Sequence, residues 1–186
     1  MMKIKIALTI SLSVFLLWGY TVKYWPAQFS FYEEHGYTRI EASDFVLVGE
    51  PGEPELPSIT LNYIIPPNAR VESLIIIDSV VSQFPGEYLI YPTQPVNLPG
   101  ESLPWVEPDT GIYNSDELFP DRFIRVVGSG IMDGAGLVAV EVMPILYRPE
   151  SRRLFLVEDI AFRFSFAEQN PPVLRPQVRG RYEQMV

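Results

Sequence analysis

Short stretches rich in β-branched and aromatic residues alternate with clusters of Gly, Pro and Asn along most of this chain. The strictest alternation of apolar and polar residues lies in 160–166, the pattern of a strand with one buried and one solvated face. Several short strands separated by such turn residues are typical of an antiparallel β-sandwich, so we expect an all-β fold. The predicted strands are 45–48, 59–65, 71–84, 88–91, 123–127, 137–147 and 154–166.

Residues 74–77 are apolar on both faces, which predicts a central strand covered on both sides, with residues 138–142 as its neighbour. The Gly-Ser-Gly sequence at 128–130 and the Asp-Gly-Ala-Gly sequence at 133–136 are predicted to be tight turns. The expected core includes Leu74, Ile76, Val140, Val142, Phe162 and Phe164.

A long Pro-rich loop is predicted between the two halves of the sandwich. Six prolines fall between positions 92 and 120, and each lacks the N–H that a regular ladder needs. A connection of this length inside a compact domain is usually functional or mobile.

The chain ends suggest three regions. Two early lysines precede an apolar stretch at 6–18, which is the layout of a secretory signal peptide over residues 1–21, or of an uncleaved anchor. The β-sandwich is expected over residues 28–168, and the Pro- and Arg-rich residues 169–186 are expected to form a linker or tail. We therefore expect a protein that is secreted, or located in the periplasm or at the surface of a bacterium.

Charge and residue types narrow the chemistry further. The formal net charge is −9, which argues against nucleic-acid binding because that needs clustered Lys and Arg. The sequence has no Cys and a single His, His35, so a hydrolase centred on His35 is a weak hypothesis and a surface histidine the simpler one. We expect no metal, no cofactor and no membrane contact beyond the N-terminal segment.

Two ordered sets of motifs resemble the gingipain propeptide domain. The first is Gly-Glu-Pro-Glu-Leu-Pro at 52–57, followed by a strand and by Pro-Pro-Asn-Ala-Arg-Val at 66–71. The second is Ile-Tyr-Asn-Ser-Asp-Glu-Leu-Phe-Pro at 112–120, followed by Met-Pro-Ile-Leu-Tyr-Arg-Pro at 143–149. The resemblance covers roughly residues 48–166 in the same order.

In that family the domain precedes a caspase-like Cys/His peptidase and blocks its active site with an exposed loop until cleavage at basic residues. The resemblance therefore implies a β-sandwich prodomain that inhibits a gingipain-type secreted cysteine endopeptidase and assists its folding. Here the catalytic domain is not part of the sequence, so the partner is expected in trans or encoded downstream, and this chain is not expected to be an enzyme. A secreted or surface β-sandwich that binds another ligand is the alternative.

The resemblance also implies an inhibitory contact. No Arg or Lys lies between Val71 and Asp121, so Arg122 is the expected contact for a peptidase that prefers basic residues. Asp116 or Asp109 would take that role for a peptidase that prefers acidic ones. Arg179 and Arg181 are the expected processing sites.

Limited trypsin digestion tests the expected tail. We expect the first cuts after Arg179 or Arg181, because the segment contains too few apolar residues to pack and because Pro176 protects the bond after Arg175. The fragments are identified by mass spectrometry. A first cut within residues 137–166 would show that the tail is packed and the interpretation wrong.

Overall fold

The longest strand, β10, organises the fold. The computed structural model describes residues 19–66, 69–96, 103–132 and 135–168. Besides a 3-10 turn at Pro26–Gln28 and one short helix, α1 at Thr110–Tyr113, the regular elements in these ranges are strands, so the all-β prediction is confirmed. The strands are β1 Gly19–Lys23, β2 Ser30–Glu34, β3 Tyr37–Glu41, β4 Val46–Val48, β5 Leu56–Ile65, β6 Ala69–Gln83, β7 Ile124–Met132, β8 Ala135–Val142, β9 Ile145–Arg148 and β10 Arg153–Glu168.

Three antiparallel sheets contain these strands. In the first, β10 pairs with β6 along almost its whole length on one side, while β1 and β9 share its other side. The second has the order β4-β5-β8-β7. Strands β2 and β3 form a two-stranded sheet, which an isolated bridge between Thr38 and Ile90 joins to the segment after β6.

Aromatic side chains connect the two larger sheets. The rings of Tyr20 on β1 and Tyr63 on β5 have centroids 4.5 Å apart, and Tyr63 lies 5.5 Å from Phe162 and 5.9 Å from Phe164 on β10. Such edge-to-face contacts add to the free energy of burial itself. The core predictions are confirmed for four residues, all of them buried: Val140, Val142, Phe162 and Phe164.

The prediction for residues 74–77 is wrong. They lie in β6, an edge strand that pairs with β10, whereas residues 138–142 lie in β8 between β5 and β7. Ile76 is 43% exposed rather than in the core, and Leu74 is only half-buried. A run that is apolar on both faces has the same sequence pattern whether it lies inside a sheet or at its uncovered edge.

The turn predicted at 128–130 is also wrong, because these residues lie within β7. The pairing of β7 with β8 shifts register between Val126 and Gly128, so the first glycine marks a bulge rather than a chain reversal. The reversal comes later, since Met132 pairs with Ala135. This agrees with the hairpin expected at 133–136, of which 133 and 134 lie outside the described residues.

The N-terminal side of the sandwich includes β1. Gly19–Lys23 pairs with residues 159–163 of β10, so the sheet begins earlier than the expected boundary at 28. Cleavage before Val22 would remove three of the five residues of this strand. The signal peptide stays a prediction, since residues 1–18 lie outside the described ranges. Among the residues that the structure describes, no helix is long and apolar enough to span a membrane.

Replacing Phe162 by Ala tests the packing between the sheets. The side chain is completely buried against three other rings, so we expect the free energy of unfolding to fall by about 3–5 kcal/mol. Urea denaturation measures this loss. The control is Ile64→Ala, which truncates a strand residue that is 65% exposed and should cost less than about 1 kcal/mol. Equal losses would contradict the described packing.

Candidate functional site

The 114–123 segment is held against the sandwich at three points. The Glu150 amide donates to the carbonyl oxygen of Ser115 at 3.1 Å, and the Met143 amide donates to that of Phe123 at 2.8 Å. Between them, the amides of Phe119 and Tyr147 each donate to the other's carbonyl oxygen at 2.8 Å. The segment therefore runs antiparallel to residues 143–150 as an irregular extra strand beside β9.

Helix α1 fixes the start of this segment. The Asp109 carboxylate accepts hydrogen bonds from the amides of Gly111 and Ile112, at 2.7 and 3.3 Å, which is the geometry of a helix N-cap. The Asp109 amide in turn donates to the carbonyl oxygen of Gly52 at 2.9 Å. Asp109 is therefore a structural residue, and the capping contacts account for its side chain.

Two tyrosines support the segment from below. The Tyr113 hydroxyl donates to the carbonyl oxygen of Ile90 at 2.8 Å, and the Tyr147 hydroxyl donates to that of Tyr88 at 2.9 Å. Their ring centroids lie 6.3 Å apart. Burial raises the pKa of both phenols above the ordinary tyrosine range. Both groups therefore stay neutral and hydrogen-bonded across the physiological pH range.

Arg122 projects from the part of the segment between two of the holding points. Its side chain is 78% exposed, and the carboxylate of Asp121, itself 90% exposed, lies 4.0 Å from its Nε atom. Both residues lie between the backbone contacts made by Phe119 and Phe123, so the backbone that carries them is fixed on each side. The structure thus presents Arg122 on a supported backbone, with its side chain in solvent.

Asp116 is placed differently, although its side chain is also 71% exposed. Its Oδ1 atom lies 3.7 Å from Nε of Arg148 on β9, whose guanidinium lies 5.7 Å from the ring centroid of Phe155. Arg125, the next basic residue after Arg122, pairs with Glu141 on β8. Of the expected contact residues, Arg122 is the one whose side chain interacts least with the rest of the fold. Arg179 and Arg181 lie outside the described residues.

The sequence interpretation missed how the earlier part of the Pro-rich loop is closed. The Gln94 side chain donates from Nε2 to the carbonyl oxygens of Pro92 and Val106, both at 2.9 Å, and its Oε1 accepts from the Val106 amide at 2.8 Å. Trp105 packs against Tyr91, with centroids 5.5 Å apart. A single glutamine thus replaces ladder bonds that the prolines cannot make, and a composition count cannot reveal this.

An ionic cluster on β3 was also missed. The guanidinium of Arg39 lies 3.1 Å from the Glu34 carboxylate and 2.6 Å from that of Glu55, and stacks 4.4 Å above the ring centroid of Tyr91. It therefore joins the β2–β3 hairpin to the turn before β5. His35, on which the weak hydrolase hypothesis depends, is 69% exposed and lies in a turn with a positive φ of 54°. Among the described residues, no group of three or more His, Cys, Asp or Glu could hold a metal ion.

This chain is similar to a known protein family and to solved structures. The Propeptide_C25 family model matches residues 20–178. The chain is similar to a structure described as a complex of Porphyromonas gingivalis RgpB pro- and mature domains, with a TM-score of 0.65, 19% identity, and coverage of 82% of this chain and 80% of that chain.

A second similar structure is described as showing the zymogenic latency of gingipain K from Porphyromonas gingivalis. Its TM-score is 0.59 at 16% identity, with 80% of this chain and all of that chain covered. At these identities the two likenesses establish the fold alone. A search of curated protein sequences finds no match.

The buried phenols predict how stability depends on pH. Unfolded tyrosines lose their proton near pH 10, whereas burial keeps Tyr113 and Tyr147 protonated in the folded state. Above about pH 10 the unfolded state therefore binds fewer protons, and stability should fall by up to about 1.4 kcal/mol per pH unit for each such group. Below pH 10 this contribution is fully present.

Urea denaturation between pH 8 and pH 11 measures this dependence. In Tyr113→Phe the free energy of unfolding should fall less steeply above pH 10 than in the wild type, by up to about 1.4 kcal/mol per pH unit, because one titrating group is gone. The variant should also lose about 1 kcal/mol of stability at all pH values, because the hydrogen bond of the hydroxyl is missing. An unchanged pH dependence in the variant would contradict the described environment of Tyr113.

Proposed function

This chain belongs to the Propeptide_C25 family, and from that premise we propose that it binds the active-site cleft of a gingipain-type cysteine peptidase, holds the enzyme inactive and assists its folding. Family membership supports a role as a prodomain of C25 peptidases. The partner peptidase is the proposal's central element, and one described structural relative is itself a complex of a pro- and a mature domain.

The supported exposure of Arg122 is the observation that carries the proposal. Backbone contacts at Phe119 and Phe123 hold the chain on either side of it, so less backbone entropy is lost on binding than a free loop would lose. The guanidinium can form charge-assisted, bidentate bonds to a carboxylate in a specificity pocket. In this proposal Arg122 enters the pocket and the 114–123 segment lies along the cleft.

Asp116 has a secondary role in the proposal. Its ion pair with Arg148 helps to position the segment over β9, and it would become the contact residue only for a peptidase that prefers acidic side chains. An exposed pair of this kind stabilises a protein by at most about 1 kcal/mol. Removing Asp116 should therefore change inhibition much less than removing Arg122.

Tethering decides how tight the contact must be. A prodomain linked to its enzyme experiences an effective concentration of order millimolar, so an intrinsic dissociation constant of about 1 micromolar already keeps the site about 99.9% occupied. A prodomain that acts in trans at nanomolar concentration needs about 4 kcal/mol more binding free energy. Cleavage at Arg179 or Arg181 would abolish the tethered advantage, which is why we propose these residues as processing sites.

Export is part of the same proposal. The resemblance is to the prodomain of secreted gingipain-type peptidases. An N-terminal signal peptide would export this chain as well, to the periplasm, the cell surface or the medium, where it could meet such a peptidase. No cofactor or nucleic acid enters the mechanism, which depends on protein contacts alone.

Inhibition assays test the proposed contact. We expect the purified full chain to inhibit the mature domains of RgpB or gingipain K, and Arg122→Ala to weaken inhibition at least tenfold, which corresponds to about 1.4 kcal/mol. The matched controls are Asp121→Ala, which truncates the adjacent and more exposed side chain, and Asp116→Ala. Both should remain within about threefold of the wild type, because neither side chain enters the pocket.

Three results would contradict the proposal in distinguishable ways. Inhibition that is unchanged in Arg122→Ala and Asp116→Ala would remove the 114–123 segment from the mechanism. A loss confined to Asp116→Ala would assign the contact to the acidic residue. Absence of inhibition by the wild type, with the fold verified by circular dichroism, would reject an inhibitory role against these two peptidases.

A further inference from the structure

Strand β6 has an uncovered and largely apolar edge. It pairs with β10 on one side, and within the described residues no strand pairs with its other side. Its 15 residues give an edge about 50 Å long. Five large aliphatic side chains near its middle are 38–57% exposed: Ile75, Ile76, Ile77, Val80 and Val81.

The usual protection of a sheet edge is weak in this strand. No Lys, Arg or Pro occurs from Val71 to Gln83, although these are the residues that commonly prevent pairing with another chain. The pairing with β10 shifts register three times in this part of β6, which bends the edge but leaves the peptide groups on its free side unpaired. An edge of this kind is a template for an added strand.

Two charged residues of β6, Arg70 and Asp78, favour an added strand with complementary charges. Arg70 lies opposite Ala167 and Asp78 lies opposite Ala161, positions that alternate with the buried residues of β10. Both charged side chains therefore lie on the outer face and both are exposed. Arg70 forms no ion pair with a described residue, and the Asp78 carboxylate accepts a hydrogen bond from the adjacent Ser79 amide at 2.9 Å.

Leu74 lies midway between these two charges, four residues from each. If two β6 strands pair in antiparallel fashion about a two-fold axis at Leu74, Arg70 of each copy lies opposite Asp78 of the other. The same register places Ile75 beside Ser73, and Glu72 beside Ile76, so no like charges oppose each other. Opposite charges at paired positions on one face stabilise antiparallel strands.

We propose that this chain forms a two-fold dimer through its β6 strands, in the register centred on Leu74. The dimer joins two four-stranded sheets into one continuous sheet of eight strands, four plus four. Pairing satisfies peptide groups along the free edge and covers part of the exposed isoleucine cluster. The arrangement is isologous, so it closes at two copies and does not propagate into a fibre.

Dimerisation leaves the proposed peptidase contact free. The 114–123 segment lies beyond β9, and β9 pairs with the side of β10 that faces away from β6. At least three strand spacings, about 14 Å, therefore separate the segment from β6. The two surfaces can be occupied together, and the dimer does not depend on the proposed function being correct.

Disulfide cross-linking tests the register. The chain has no cysteine, so a single Leu74→Cys substitution introduces the one thiol. At the two-fold axis the two Cα atoms would lie about 4.5–5.5 Å apart, within the range of a disulfide. We expect a mild oxidant to give a covalent dimer. In the control, Val80→Cys, the two Cα atoms would lie about 40 Å apart and should not cross-link.

Charge reversal provides an independent measurement by sedimentation equilibrium of the full chain. Arg70→Asp or Asp78→Arg alone should weaken the dimer at least about tenfold, because each creates two like-charge pairs. The double variant should restore the wild-type dissociation constant to within about threefold.

Three outcomes would overturn the proposal. A wild type that stays monomeric at about 100 micromolar would leave the β6 edge to another occupant, such as the peptidase or residues 169–186. Cross-linking through Val80→Cys but not Leu74→Cys would exclude the register. A double charge variant as weakly associated as the single variants would exclude the pairing of Arg70 with Asp78.

Discussion

Strand β10 must satisfy the hydrogen-bonding groups on both of its sides, and the rest of the molecule follows from how it does so. On one side it pairs with the long strand β6, and on the other with β1 and β9 in succession. Strand β9 in turn supports the 114–123 segment through the reciprocal bonds of Phe119 and Tyr147. The candidate contact and the uncovered edge are thus opposite margins of one sheet.

How far the sequence predicts this arrangement depends on the kind of signal. Alternation over 160–166 identifies the buried face of β10 because one side of that strand is covered by the other sheet. The apolar run at 74–77 carries no information about its neighbours, so the same pattern predicts a central strand where the fold has an edge strand. Contacts such as those of Gln94 join residues 12 positions apart, and no local pattern encodes them.

The sequence likewise predicts one part of the candidate site and not another. Arg122 could be selected from the sequence because no other basic residue lies in the preceding fifty positions. That its backbone is supported while its side chain remains in solvent could not, because the contacts come from residues 143–150 far along the chain. The structure also separates three candidates that sequence alone treats alike: Asp109 caps α1, Asp116 pairs with Arg148, and Arg122 is the least engaged by the fold.

Hydrogen exchange of the chain with and without a mature gingipain-type peptidase locates the contact on this chain without any substitution. We expect exchange to slow in peptides covering 114–123 when the peptidase is added, and exchange along β6 to stay unchanged. Slower exchange along β6 with no change at 114–123 would contradict the proposed contact and would place the peptidase on the opposite margin of the sheet.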